Sequence, residues 1–248
     1  MTNGMLLDDI VFDLDTIVEG DCLELLPQLP DSCIDAIITD PPFAITGGLA
    51  NGRTSLIDDQ FFLYWFTDVV RQFIRVLKPE GCGFLWCDWR SESAMVQAFS
   101  KASERYDPWY IAQIIYHDRE MVGMGSPFRN QVDRILFFRG RKFQNRFIPN
   151  TQSNIIRDYW YYGKHEWHDA EKSPGVTAKL VRWITDENEL VLDPFCGSGT
   201  VPFVCKHLGR HWLGMEIDSE IAETAKRRVA QSPAPALSIN VPQMELAL

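Results

Sequence analysis

Four consecutive residues, Asp40-Pro41-Pro42-Phe43, place a carboxylate, two rigid carbonyls and an aromatic face directly after the apolar run Ala36-Ile37-Ile38-Thr39. This set of groups suits an aromatic amine. The lone pair of an exocyclic ring amine is delocalised into the ring, so the nitrogen is a poor nucleophile. A carboxylate and a backbone carbonyl can each accept one of its N–H groups, which draws the nitrogen toward tetrahedral geometry and localises the lone pair. Proline fixes its own φ, and Pro41 brings no N–H to compete for those acceptors. Phe43 offers a ring on which a base swung out of a helix can stack. Asp40 is expected to position and polarise such an amine rather than to deprotonate it outright, because a carboxylate is a weak base toward a neutral aryl amine.

A second group follows much later in the chain. Leu190-Val191-Leu192-Asp193 reads as a strand ending in an acid. Pro194-Phe195-Cys196-Gly197-Ser198-Gly199-Thr200 then makes a glycine turn that opens a helix, and His211–Glu216 ends the next strand in another acid. The glycines permit positive φ and close approach of a ligand to the backbone. A carboxylate at Glu216 suits the two hydroxyls of a ribose. A dinucleotide fingerprint would need a third glycine where Pro202 stands, and a P-loop would need Gly-Lys-Ser/Thr, which is absent. S-adenosylmethionine has no phosphate to cradle and presents a cationic amino-acid end, whose charge Asp193 can help to meet.

These residues need a scaffold that brings them together. Thr16–Asp21 reads as a strand and turn, Asp35–Asp40 as a buried strand, and Cys22–Leu29 between them as a short helix stopped by Pro30. Gly47, Gly48 and Gly52 mark a loop that either closes over the target or is a plain surface loop. Residues 59–78 carry an apolar helical face from Phe62 to Leu77, stopped by Pro79 and Gly81. Gly83–Cys87 reads as a strand and Ser91–Lys101 as a helix. Tyr110–Tyr116 and Arg134–Phe138 read as a hairpin joined through a glycine-bearing loop at 121–127. Residues 140–170 lose periodicity and gain aromatics: Phe143, Phe147, Tyr159, Trp160, Tyr161, Tyr162 and Trp167. Helix Val176–Ile184, strand Leu190–Asp193, helix Val201–Leu208, strand Trp212–Glu216 and a helix from Ser219 close the domain. This alternation predicts an α/β fold: a mostly parallel sheet with one antiparallel hairpin and helices on both faces. Residues 1–230 form one catalytic domain in this reading, with a short insert near 140–170. Residues 231–248 form a proline-containing tail. Ligands of such sheets bind beyond the carboxyl ends of the strands, so Asp21, Asp40, Asp193 and Glu216 are expected to line one crevice.

Composition narrows the class further. In 248 residues, 46% are apolar and 23% charged, ordinary proportions for a chain that buries a substantial core. No stretch is apolar for the length of a membrane span, and the acidic start does not suit a signal peptide. The six cysteines show neither zinc spacing nor C-x-x-C pairs, so they read as reduced thiols, with no metal expected. The formal net charge of −10 disfavours a protein that merely coats nucleic acid. The basic stretch is local: Arg129, Arg134, Arg139, Arg141, Lys142 and Arg146 against the one acid Asp133. It reads either as a solvated strand and turn or as a phosphate-contacting segment.

Taken together, the sequence resembles the amino-methylating DNA methyltransferases, and specifically their β-class order: catalytic motif, then target-recognition region, then cofactor motif. Asp40–Phe43 and Asp193–Thr200 carry the likeness. Ile17–Leu26, with Gly20-Asp21-Cys22, resembles the segment that opens many of these enzymes. Val76-Leu77-Lys78-Pro79-Glu80-Gly81 resembles their common helix end. Phe128-Arg129-Asn130 with Arg134–Phe138 resembles the hairpin beside their target pocket. Glu171-Lys172-Ser173-Pro174 resembles their Lys-Pro segment, which contacts the methionine end of the cofactor; here Ser173 is inserted between Lys and Pro.

The resemblance implies a Rossmann-like fold and S-adenosylmethionine as cofactor. The residues it implies for holding the cofactor are Asp193, Phe195, Gly197, Gly199, Thr200, Glu216, Asp21, Lys172 and Ser173, with Asp40, Pro41, Pro42 and Phe43 catalytic. It implies double-stranded DNA as partner, with Arg129, Arg134, Arg141, Lys142 and Arg146 expected to contact it. A homodimer is expected, and the aromatics of 140–170 serve either target recognition or that subunit interface. A cytoplasmic protein of prokaryotic or phage origin is expected. Asp at the first position of the tetrapeptide resembles adenine-N6 enzymes. Cytosine-N4 methylation is the alternative, followed by RNA methylation or an inactive binding subunit.

Overall fold

The computed structural model describes residues 13–43, 59–103, 107–119, 127–158 and 171–231. Among the described residues eight strands are formed: β1 (Thr16–Glu19), β2 (Ile34–Thr39), β3 (Leu77–Cys87), β4 (Tyr110–Asp118), β5 (Val132–Arg139), β6 (Ile155–Arg157), β7 (Leu190–Asp193) and β8 (His211–Glu216). The helices are α1 (Cys22–Leu25), α2 (Asp59–Val76), α3 (Glu92–Ala102), α4 (Pro174–Ile184), α5 (Thr200–Leu208) and α6 (Ser219–Gln231). All eight strands join one sheet in the order β1-β8-β7-β2-β3-β5-β4-β6.

β5 alone runs against its neighbours, antiparallel to both β3 and β4, while the other pairings are parallel. One edge of the sheet therefore collects the carboxyl ends of seven strands and the amino end of β5. The central strands are buried on both faces, and β2 and β7 accordingly read as nearly unbroken apolar runs.

Helices α1–α3 cover one face and α4–α6 the other. On α2, Phe62, Phe66, Val69, Val70, Phe73 and Val76 recur at helical spacing and are buried, while Phe61 and Tyr64 face out. The rings continue across the layer, with Phe66 edge-on to Phe73 at 6.5 Å and Phe73 stacked on Phe138 of β5 at 6.4 Å. Each such buried side chain contributes roughly 1.5–3 kcal/mol. The opposite layer packs Val176, Leu180 and Val181 of α4, Val204 and Cys205 of α5, and Ala222 and Ala225 of α6.

Two details differ from the sequence expectation. The apolar helical face predicts a helix to residue 78, but α2 ends at Val76 and Leu77 already pairs with Ile34 of β2. Cys82 next pairs with Ala36, so the stretch with Pro79 and Gly81 bulges out of the ladder instead of capping the helix. The second is β6, which adds to β4 from inside a segment expected to be irregular. The glycines at 47, 48 and 52, the aromatics at 159–162 and 167, and the tail from 232 onward lie outside the described residues.

Candidate active site

The strand connections turn in opposite directions on either side of the β2–β7 pair, and such a switch point opens a crevice at the carboxyl edge of a sheet. Asp40 follows β2 and Asp193 ends β7. They are tied through Thr39, whose hydroxyl donates to Asp193 Oδ1 at 2.6 Å. A cavity of about 420 Å³ opens here, lined among others by Asp21, Asp40, Trp65, Asp193, Phe195 and Glu216. The four acids expected to share a crevice do share one. A smaller cavity of about 140 Å³ adjoins it, lined by Phe43, Trp86, Trp89, Asp133 and Arg134, and Lys172 borders both.

The glycine turn is shaped by left-handed backbone. Gly197 has φ +49° with nothing within 4 Å of where a Cβ would stand, so its conformation leaves open room for a ligand. Gly199, at φ +79°, caps α5 and lies where a Cβ would come within 3.0 Å of Ala225. Glu216 holds the turn by accepting from the Gly197 N–H at 2.9 Å. Phe195 tilts against Trp65, ring centroids 5.8 Å apart. Asp21 caps α1 by accepting from the Leu23 N–H at 2.8 Å while it lines the large cavity.

Charge is the main property of the site. Asp193 is buried, and burial pushes its pKa up to about 7. The Thr39 hydroxyl and the Phe195 N–H work against that rise, and Asp40 and Glu216 add to it. Burial raises the pKa of Asp40 as well, against the pull of Lys172, whose Nζ lies 2.6 Å from Asp40 Oδ2. The other oxygen, Asp40 Oδ1, is shut off from solvent and has no hydrogen-bond partner among the described residues. Asp133 follows the opposite course: burial would raise it, but the His117 hydrogen bond, Arg119 and Lys172 hold it below the usual carboxylate range. The Cys196 thiol is pushed well above its usual pKa by burial and by Asp193, so it packs under the turn as an inert group.

Other expected residues sit elsewhere. Ser173 is buried as the N-cap of α4, accepting from the Val176 N–H at 3.2 Å and donating to Asp158. Arg134 lines the smaller cavity and pairs with Glu92 at 3.1 Å, and Arg129 is exposed in the loop leading to that edge. Arg141, Lys142 and Arg146 are not brought to the site. β5 runs backward, so the chain after Arg139 emerges at the opposite edge of the sheet. There Lys142 lies 3.8 Å from Asp107, and Arg146 forms a two-pronged pair with Glu189, 2.8 Å on each arm.

Sequence reading missed Trp65, Trp86 and the Glu171–Arg228 pair. Arg228 of α6 is buried. It donates to Glu171, to the Ser198 carbonyl and hydroxyl at 3.2 Å each, and to the Thr200 hydroxyl at 3.0 Å. Its place in a helix of mostly polar residues gave no signal of this.

Residues 34–227 match the family model of N6/N4 DNA methylases, which spans most of the chain. The chain belongs to the N6/N4 DNA methylase family. The chain is 28% identical to the type II methyltransferase M.BamHI of Bacillus amyloliquefaciens, over 88% of this chain and 57% of that protein. It therefore spans little more than half of that relative's length. It is 27% identical to M.HpaI of Haemophilus parainfluenzae, over 86% of this chain and 73% of that one. Among solved structures, the cytosine-N4-specific PvuII DNA methyltransferase superposes with a TM-score of 0.71 at 17% identity, covering 86% of this chain and 85% of that one. M1.HpyAVI superposes with a TM-score of 0.64 at 22% identity, covering 86% and 98%.

The cofactor is S-adenosylmethionine. The residues present fit it. Asp21, Asp40, Glu171, Asp193 and Glu216 line the large cavity, and among the described residues Lys172 is the one basic side chain there. That balance suits a cationic ligand and not a phosphate.

Proposed function

We propose that this protein transfers the methyl group of S-adenosylmethionine to the N6 amine of adenine in duplex DNA. The observation that carries the reading is Asp40. Its Oδ1 has no hydrogen-bond partner among the described residues, and Asp40 lines the cavity whose acids fit the cofactor, while Trp86 and Lys172 border both that cavity and the smaller one lined by Phe43 and Trp89.

The cofactor, when bound, supplies an electrophilic methyl on a sulfonium. Asp193 and Asp40 would meet its cationic end, and Glu216 would offer a carboxylate to the ribose. A base extruded from the helix enters the smaller cavity against Phe43. Asp40 Oδ1 and a carbonyl of the Pro41-Pro42 pair each accept one N–H of the target amine. With both N–H groups engaged, the nitrogen's lone pair is free to take up the methyl group that the bound cofactor would supply. The methylated nitrogen is strongly acidic and loses its extra proton to water. DNA runs along the edge where Arg90, Arg129, Arg134 and Arg157 stand, and two copies of the chain act together on the duplex.

Asp at the head of the tetrapeptide supports adenine, as does 24% identity to the DNA adenine methyltransferase YhdJ of Escherichia coli K12, over 86% of this chain and 82% of that one. Cytosine-N4 transfer is the second reading, because the same acceptors at Asp40 fit that amine equally. Digesting methylated duplex DNA to nucleosides and identifying the modified base by mass separates the two.

A further inference from the structure

We propose that Lys172 is a positioning residue for methyl transfer: its ammonium holds Oδ2 of Asp40 and so presents Oδ1 as the acceptor for the target amine. This rests on the transfer reaction proposed above. It departs from the resemblance, which puts a lysine of this segment on the methionine end of the cofactor.

The geometry is local and well fixed. Lys172 Nζ lies 2.6 Å from Asp40 Oδ2 and 5.8 Å from the centroid of the Phe43 ring, so one ammonium touches two residues of the catalytic tetrapeptide. Its backbone is clamped on both sides. Before it, Glu171 is buried and bound by Arg228; after it, buried Ser173 caps α4 and donates to Asp158. Pro174 occupies the first turn of α4, and the inserted Ser173 takes the capping position. Lys172 is thereby set one residue before the cap of the helix, with its side chain lining both cavities.

The charges around Asp40 make that contact consequential. Asp133 of β5 and Asp193 of β7 face it, and the Cys87 thiol of β3 feels its charge. Against these acids Lys172 supplies the balancing cation. Asp133 itself is engaged by His117 at 3.1 Å and by Arg119 at 3.6 Å. Without Lys172, Asp40 would stand near like charges, its carboxyl would hold its proton to higher pH, and Oδ2 would lose the contact that fixes it. A protonated carboxyl no longer offers two acceptor oxygens.

The test compares wild type with Lys172→Met, which keeps length and loses charge, and with Lys172→Arg. Single-turnover transfer to duplex DNA is followed across pH, and S-adenosylhomocysteine binding and thermal unfolding are measured on the same proteins. Lys172→Met is expected to lose at least about tenfold in transfer rate at neutral pH. Its acid limb should move up by about one pH unit, so that alkaline conditions restore part of the rate. S-adenosylhomocysteine affinity should change by less than about threefold. Lys172→Arg should recover most of the rate and the wild-type limb. An unmoved acid limb in Lys172→Met overturns the proposal. So does a loss confined to S-adenosylhomocysteine affinity, which would return Lys172 to the cofactor. A wild-type protein that transfers nothing to DNA overturns the underlying function and this role with it, and is told apart from the first two outcomes by the wild-type control. A Lys172→Met protein that unfolds leaves the decision to Lys172→Arg, whose failure to restore rate and limb also counts against the proposal.

Discussion

Asp40 and Asp193 end adjacent strands and repel one another, yet they meet different environments. Asp193 has its charge opposed mainly by burial, with hydrogen bonds from Thr39 and Phe195 in partial compensation, and titrates at about 7 against 3.8 for the free side chain. A carboxyl raised on folding adds stability that is fully present below its unfolded pKa and is lost as pH rises through its folded value. A cationic ligand reverses that preference, because it favours the ionised form. Cofactor affinity should therefore weaken as pH falls from about 8 to about 6, and an Asp193→Asn variant should bind weakly with a flat profile; calorimetric titration at several pH values reads both, and a wild-type affinity indifferent to pH would separate Asp193 from the cofactor's cation. The identities of these acids were legible in the sequence, because each closes an apolar run. The groups that oppose the rise in each pKa were not, since Thr39, Phe195 and Lys172 come from three separate segments.

At the scale of elements, the glycine turn and the loop before α4 are not held by their own residues. Arg228 of α6 reaches under both, joining Glu171 to Ser198 and Thr200. Removing one partner of a buried pair leaves an uncompensated charge, so Arg228→Met should cost about 3–5 kcal/mol in urea unfolding. Combining it with Glu171→Gln should recover a large part of that loss, because the stranded carboxylate is gone. Equal destabilisation in the double variant would mean that the bonds to the turn matter and the ion pair does not. Periodicity made most of the elements legible, including the hairpin of β4 and β5. It missed β6, three residues long, which is a strand only because β4 offers it an edge. It also placed the end of α2 late, since Leu77 continues the apolar face that precedes it.

For the whole molecule, under the proposed function, the antiparallel course of β5 decides which basic residues reach the edge assigned to DNA. The sequence shows a basic run from Arg129 to Arg146. Reversal of one strand sends its two halves to opposite edges of the sheet, which composition cannot reveal. Charge reversal at Arg141 and Lys142 should leave DNA affinity within about threefold of wild type, whereas reversal at Arg129 or Arg157 should weaken it by about tenfold and flatten its dependence on salt. Fluorescence anisotropy with a labelled duplex at two salt concentrations checks this, and the opposite ranking would place DNA at the far edge.

The most direct test of the whole account follows the methyl group itself. Duplex DNA is incubated with S-adenosylmethionine carrying a deuterated methyl, then digested to nucleosides and weighed. Wild-type protein should yield labelled N6-methyladenine. Asp40→Ala should yield at least about a thousandfold less, while still binding S-adenosylhomocysteine. Labelled product from Asp40→Ala at the wild-type rate, or no label in DNA from the wild type, would contradict it.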